Sequence, residues 1–226
     1  EDISAYSGVD VTEEQNSTII AYTKPCVQNT LLDLYIVAEE KIKLPKTCDY
    51  LFSFFKTNGN FECVSNLINI NNLCNLDASE VASIDGLFYG DNKLENADLS
   101  VFANSKLVSM QGVFENCEKL TFVDLSVLDT TLVLDVSSLF DGCTNLKSVN
   151  LKGVDFSNVS TTNKMFNDCV SLIKLDFEDL NFGEVLDASY MFYNCDKLSV
   201  INLKNCVFNS LYNAKAMFAG CGSLVS

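Results

Sequence analysis

Five of the ten cysteines, Cys117, Cys143, Cys169, Cys195 and Cys221, follow one another at intervals of 26 residues. Fixed spacing over that many copies marks a repeat in which each unit buries its apolar face against the next, not a disulfide framework. Each Cys closes a similar phrase, VFENC, LFDGC, MFNDC, MFYNC and MFAGC, and LFYGD at 87–91 is an earlier copy with Asp91 in the Cys position. Phe88, Phe114, Phe140, Phe166, Phe192 and Phe218 share one register. After the Cys runs a segment of form LxxLxL, such as Leu120-Val123-Leu125 and Leu172-Leu175-Phe177. Its period-2 ending predicts a short strand with one buried face.

Backbone chemistry suggests the rest of the unit. Ser83, Ser109, Asp135, Thr161, Asp187 and Asn213 fall in one column, and all are side chains that accept from the free amides of a helix start. Seven positions on lie Gly90, Asn116, Gly142, Asp168, Asn194 and Gly220, types that tolerate the left-handed conformation closing a helix. The expectation is an α/β solenoid, with one short strand and one short helix, packed through its Phe, in each coil. Cys206 shares a column with Phe102, Leu128, Val154 and Leu180, and reads as a small apolar filler, as do the five ladder cysteines.

The repeat sets the expected organisation. Residues 51–226 form the solenoid, with a degenerate unit at 51–86, units at 87–112, 113–138, 139–164, 165–190 and 191–216, and a partial one at 217–226. The degenerate unit carries an insertion near 56–65, and residues 1–50, which show no repeat, are the expected amino-terminal cap. Cys26, Cys48, Cys63 and Cys74 lie off the ladder; they allow three complete pairings, with a lean to Cys26–Cys48 and Cys63–Cys74, or four reduced thiols. The partial last unit carries no capping sequence, so either further chain or another molecule is expected there.

Composition narrows the chemistry. Fifteen basic residues, all Lys, against thirty acidic ones give a net charge of −15, which argues against a nucleic-acid surface. The absence of His removes Ser-His-Asp and Cys-His catalysis and His-containing metal sites. No apolar run approaches the roughly 18 residues that span a bilayer. Asn16-Ser17-Thr18 and Asn158-Val159-Ser160 fit the glycosylation acceptor pattern.

Units such as MFNDCVSLIKLDFEDLNFGEVLDASY and MFYNCDKLSVINLKNCVFNSLYNAKA resemble the BspA-like leucine-rich repeats, whose 26-residue surface-protein variant reads roughly MFxGCxxLxxLDLSxFDTSxVTDMSx. The resemblance covers 87–226 well, 51–86 poorly and 1–50 not at all. It departs from the pattern at Asp91, and at Gly183 and Asn209 where other copies have Ser or Thr. It implies a secreted or cell-surface protein of bacteria or protists, engaged in adhesion or host contact, and it implies a scaffold more than a site.

The candidate site is the outward face of the strands. Its centre is Asp98, Asp124, Asn150, Asp176 and Asn202, flanked by Asn96, Phe122, Ser148, Lys174 and Val200 on one side and Ser100, Ser126, Lys152, Glu178 and Lys204 on the other. A ligand strip with Phe122 as its apolar anchor competes with a solvated face of hydrogen-bonded Asp/Asn ladders. Asp98 and Asp124 fall short of a Ca²⁺ set, and a flat face gives no pocket in which to split two carboxylate pKa values. The expected function is a non-catalytic binding or adhesion module for a host or matrix protein or glycan, with neither cofactor nor metal. The alternative is a structural subunit that self-associates end to end into a filament or coat.

Overall fold

The computed structural model describes residues 8–10, 19–25, 32–38, 42–53, 69–70 and 76–225. Near the amino terminus, β1 (Gly8–Asp10), β2 (Ile19–Pro25) and β3 (Leu32–Ala38) form an antiparallel sheet in that order. The remaining strands are short and parallel: β4 (Ile42–Lys43), β5 (Asn69–Ile70), β6 (Leu76–Asp77), β7 (Asn96–Ala97), β8 (Phe122–Asp124), β9 (Ser148–Asn150), β10 (Lys174–Asp176) and β11 (Val200–Asn202). From β7 onward a strand recurs every 26 residues, in a repeat solenoid.

A stack of phenyl rings runs through the coils. Phe52, Phe88, Phe114, Phe140, Phe166, Phe192 and Phe218 lie ring on ring, with centroids 5.3–5.7 Å apart. Phe156, Phe182 and Phe208 make a second, shorter stack. Leu120, Val123 and Leu125 and most of their equivalents fill the space between and are buried, Leu203 of the last strand being exposed. Burying each such side chain contributes roughly 1.5–3 kcal/mol, so each coil gains most from its two neighbours. Residues 42–53 already belong to this stack: Ile42 pairs with Leu76, Thr47 bridges Ser83, and Phe52 lies on Phe88. The solenoid's first described rung therefore begins at Ile42.

The expected helix is absent from the described coils. Among the described residues the only helical element is a 3-10 turn at Ser100–Phe102, and the Met/Leu-Phe segments are successive turns. The unit 109–117 shows why. The amides of Gly112, Phe114 and Asn116 donate to the carbonyls of Ser137, Leu139 and Asp141 in the next coil, at 2.9, 3.0 and 2.7 Å. Those of Glu115 and Cys117 instead close four-residue turns onto Gly112 and Phe114. Amides that a helix would satisfy four residues back are thus shared between local turns and the neighbouring coil. Left-handed residues at two positions per unit enforce this. One is the expected column, with Asn116 at φ +62° and Asp168 at +56°; the other runs Gly86, Gly112, Ser138, Lys164, Tyr190 and Ala216. The column read as helix caps does accept backbone amides, but in Asx turns: Asp135 and Asp187 each take the amide two residues on, at 2.7 Å.

The ladder cysteines are free thiols, four of them fully buried. Each points back one coil, so that Cys117, Cys143, Cys169, Cys195 and Cys221 donate to the carbonyls of Phe88, Phe114, Phe140, Phe166 and Phe192 at 3.0–3.2 Å. Cys48 is likewise a free thiol, buried and 3.6 Å from the Pro45 carbonyl. Cys26, Cys63 and Cys74 lie outside the described residues. Asn16 does as well, whereas Asn158 is exposed and donates to the Thr131 carbonyl at 2.7 Å.

Candidate functional site

Each strand is followed by a tight bend, and the central side chain of the strand turns to cap it. Asp98, Asp124, Asn150, Asp176 and Asn202 each accept the amide two residues on, at 2.8–3.2 Å. The Ser126 hydroxyl adds a bond to Asp124 at 2.6 Å. That bond, above all, holds the Asp124 carboxyl below its usual range, outweighing the desolvation that acts against it; the Ser126 amide and Asn150 help. Turn capping therefore uses one oxygen of every residue in the central column.

Between coils the Asn side chains donate, two by two, to the same carboxylate oxygens that cap the Asp turns. Asn150 donates to Asp124 at 3.0 Å, and Asn202 donates to Asp176 at 2.8 Å. Asn150 also reaches Ser126, and Asn202 reaches Glu178, each at 3.2 Å. Glu178 is also bonded to Lys204, which raises the lysine's pKa. The backbone follows the same grouping: β5 pairs with β7, β8 with β9, and β10 with β11. Among the described residues, β9 and β10 share no sheet, although the turn segments of those coils stay bonded to each other, as in Lys164 to Ser189 at 3.0 Å.

The strand ladder is therefore interrupted between β9 and β10, as it also is between β7 and β8, and at the former the strand side opens. An open groove of 540 Å³ lies there, lined by Asn150, Lys152, Gly153, Asp176, Glu178 and Asp179. Among its lining residues Gly153 has φ +78°, with nothing within 4 Å of where a Cβ would stand. The groove presents a cation beside three carboxylates, together with strand edges bearing peptide groups. It is suited to a ligand rich in hydrogen-bonding groups.

The other expected site residues spread along the face. Phe122 is 45% exposed and Val200 52%. Asn96, Asp98 and Lys174 are exposed, and Ser148 is half-buried. Of the fifteen expected face residues, Asn150, Lys152, Asp176 and Glu178 line the groove, while Asn96, Asp98, Phe122 and Asp124 belong to earlier coils. Gly153 and Asp179 were not among the expected residues. Their column holds Val127 and Asn205 in the neighbouring coils, and the missing side chain at Gly153 is the signal a closer reading would have used. Among the described residues no group of three or more Cys, Asp or Glu is placed to hold a metal ion, and no helix is long and apolar enough to cross a membrane.

A solenoid of 26-residue coils, bearing a strand face of capped Asp and Asn side chains, is the class of protein these features define. Two overlapping stretches, 53–174 and 108–226, match the family DUF285, described as a Mycoplasma protein of unknown function, and the chain belongs to that family. No curated protein matches the chain, and no solved structure does either.

Proposed function

We propose that this protein is a non-catalytic recognition module of the leucine-rich-repeat type, acting at or outside the cell surface, which binds a glycan or a protein segment on its strand face. The observation that carries the reading is the splay between β9 and β10, where backbone and side-chain ladders are both interrupted beside Gly153. In the groove Lys152, Asp176 and Glu178 stand around space large enough for one or two sugar rings or a short peptide, and ligand sites commonly occupy a few hundred Å³. The resemblance to BspA-like repeats supports the surface location and the adhesive role.

Binding to arrays of glycans and matrix proteins tests this, comparing the native chain with Lys152→Ala/Asp176→Ala and with Phe122→Ser. A ligand of the groove should lose at least about tenfold in affinity with the double variant. Undiminished binding by a folded double variant would move the site elsewhere.

A further inference from the structure

A second surface, in a different column of the coils, carries a row of exposed apolar side chains. Val108, Leu134, Ser160, Leu186 and Tyr212 succeed one another at intervals of 26 residues. The backbone ties each to the last: the amides of Leu134, Ser160, Leu186 and Tyr212 donate to the preceding residue of the column at 2.8–2.9 Å. Leu134 is 48% exposed, Leu186 53% and Tyr212 93%, with Leu132 beside them at 54%. Ser160 is the one small residue, and its hydroxyl is bound to the Leu134 carbonyl at 3.0 Å. It leaves a notch between Leu134 and Leu186, which stand two coils apart, about 10 Å at the spacing of adjacent strands.

We propose that this column is a docking ridge for a basic amphipathic helix of a partner protein, with one apolar side chain of that helix seated over Ser160. Five coils span about 19 Å, the length of roughly 13 residues of helix. Leucines on one face of such a helix recur every three or four residues and can interleave with the ridge residues, as in other helix-docking surfaces. Because the backbone already holds the ridge, little ordering is required of this chain on binding.

Charge selects the occupant. Asp135, Glu184 and Asp187 flank the ridge, whereas the neighbouring Lys106 is bonded to Glu80 at 3.3 Å. A second copy of a chain with net charge −15 would bring the same carboxylates against these, and an anionic membrane or nucleic acid would be repelled as well. A helix bearing Lys or Arg beside its apolar face meets both features at once.

The test uses the full chain and a fluorescent helical peptide of about 14 residues made of Leu and Lys, leucines on one face, in about 0.15 M salt. A Leu134→Ser/Leu186→Ser/Tyr212→Ser variant should weaken binding by at least about tenfold, and Ser160→Lys, which fills the notch with a cation, should do the same. The counterpart peptide with Glu for Lys should bind at least about tenfold more weakly than the Lys peptide. All altered residues are exposed, and a retained unfolding transition confirms that each variant is folded. Smaller losses for both folded variants, meaning that the peptide binds the acidic surface at large, would overturn the proposal, as would comparable binding of the Glu peptide.

Discussion

Asn150 donates its side-chain amide to Asp124 at 3.0 Å, binding β9 to the coil before it and leaving the coil after it to open. The pair links sequence order to the shape of the face. An Asn following an Asp can give the proton that the carboxylate accepts. The next residue in the column, Asp176, instead receives its proton from Asn202.

Replacing Asp124 by Asn keeps an oxygen able to accept its three bonds but removes the carboxylate charge that strengthens them, and should destabilise the protein at neutral pH. The pH dependence follows from the depressed carboxyl. A folded pKa below the unfolded value of about 3.9 contributes stability that is fully present above that value and is lost as pH falls through the folded pKa. The native chain should therefore exceed Asp124→Asn in urea midpoint from pH 5 to 7, taken as roughly the range above the unfolded pKa, and the two should converge in acid. A difference independent of pH would mean that the carboxylate's charge is not what matters.

Interrupting the phenyl stack should be most costly where both faces are covered. Phe140 lies between Phe114 at 5.6 Å and Phe166 at 5.3 Å, and is fully buried. Phe140→Ala should cost about 3–5 kcal/mol, the range for aromatic residues cut out of a core. Phe218 stacks on Phe192 and is 40% exposed, so Phe218→Ala should cost clearly less. Chemical denaturation of both variants measures the contrast, and equal losses would contradict a stability built from neighbouring coils.

The cysteines should behave as buried donors. Burial raises the Cys117, Cys143 and Cys169 thiols, with Cys195 pushed up to about 12, and neighbouring thiols or carboxylates add to the rise. These four should resist iodoacetamide in the folded protein at pH 8, about the pKa of a free thiol, and react after denaturation. Cys169→Ala should cost about 1–2 kcal/mol. Since the Phe140 carbonyl, which also accepts the Cys143 amide, lies 3.2 Å from Sγ and can take a hydroxyl as its second donor, Cys169→Ser should be no worse than Cys169→Ala. A serine variant clearly less stable than the alanine one would show that the sulfur's packing outweighs its hydrogen bond.

How much of this was legible in the sequence follows from where each interaction is decided. The solenoid, its period and its inward column are written in Phe114, Cys117, Leu120 and Val123 and their copies, because stacking requires the same type in the same place. Helix or turn could not be told from Asp135 and its column, since a carboxylate accepts a backbone amide equally well at a helix start and in an Asx turn. The choice rests with carbonyls one coil away, such as Ser137 for Gly112, which no local pattern reveals. The second left-handed column was hidden too, for Lys164 and Tyr190 occupy it as readily as Gly86. On the strand face the column of Asp124, Asn150 and Asp176 was legible, and the splay that makes a groove of part of it was not.

Two glycines with nearly the same backbone separate conformational strain from steric conflict. Gly142 has φ +74°, and a Cβ there would lie 2.6 Å from Asn116 Oδ1. Gly153 has φ +78° with open space around it. A left-handed non-Gly residue costs roughly 1–2 kcal/mol from its own backbone, so Gly153→Ala should lose about that much and Gly142→Ala more. Shortening the neighbour tests the excess: in Asn116→Ser/Gly142→Ala the side-chain conflict is relieved, and the alanine should then cost about what it does at position 153. The double-mutant cycle reads this directly from unfolding free energies. If the cost of Gly142→Ala is unchanged by Asn116→Ser, the close approach of Asn116 is not what requires glycine there, and the backbone conformation alone accounts for it.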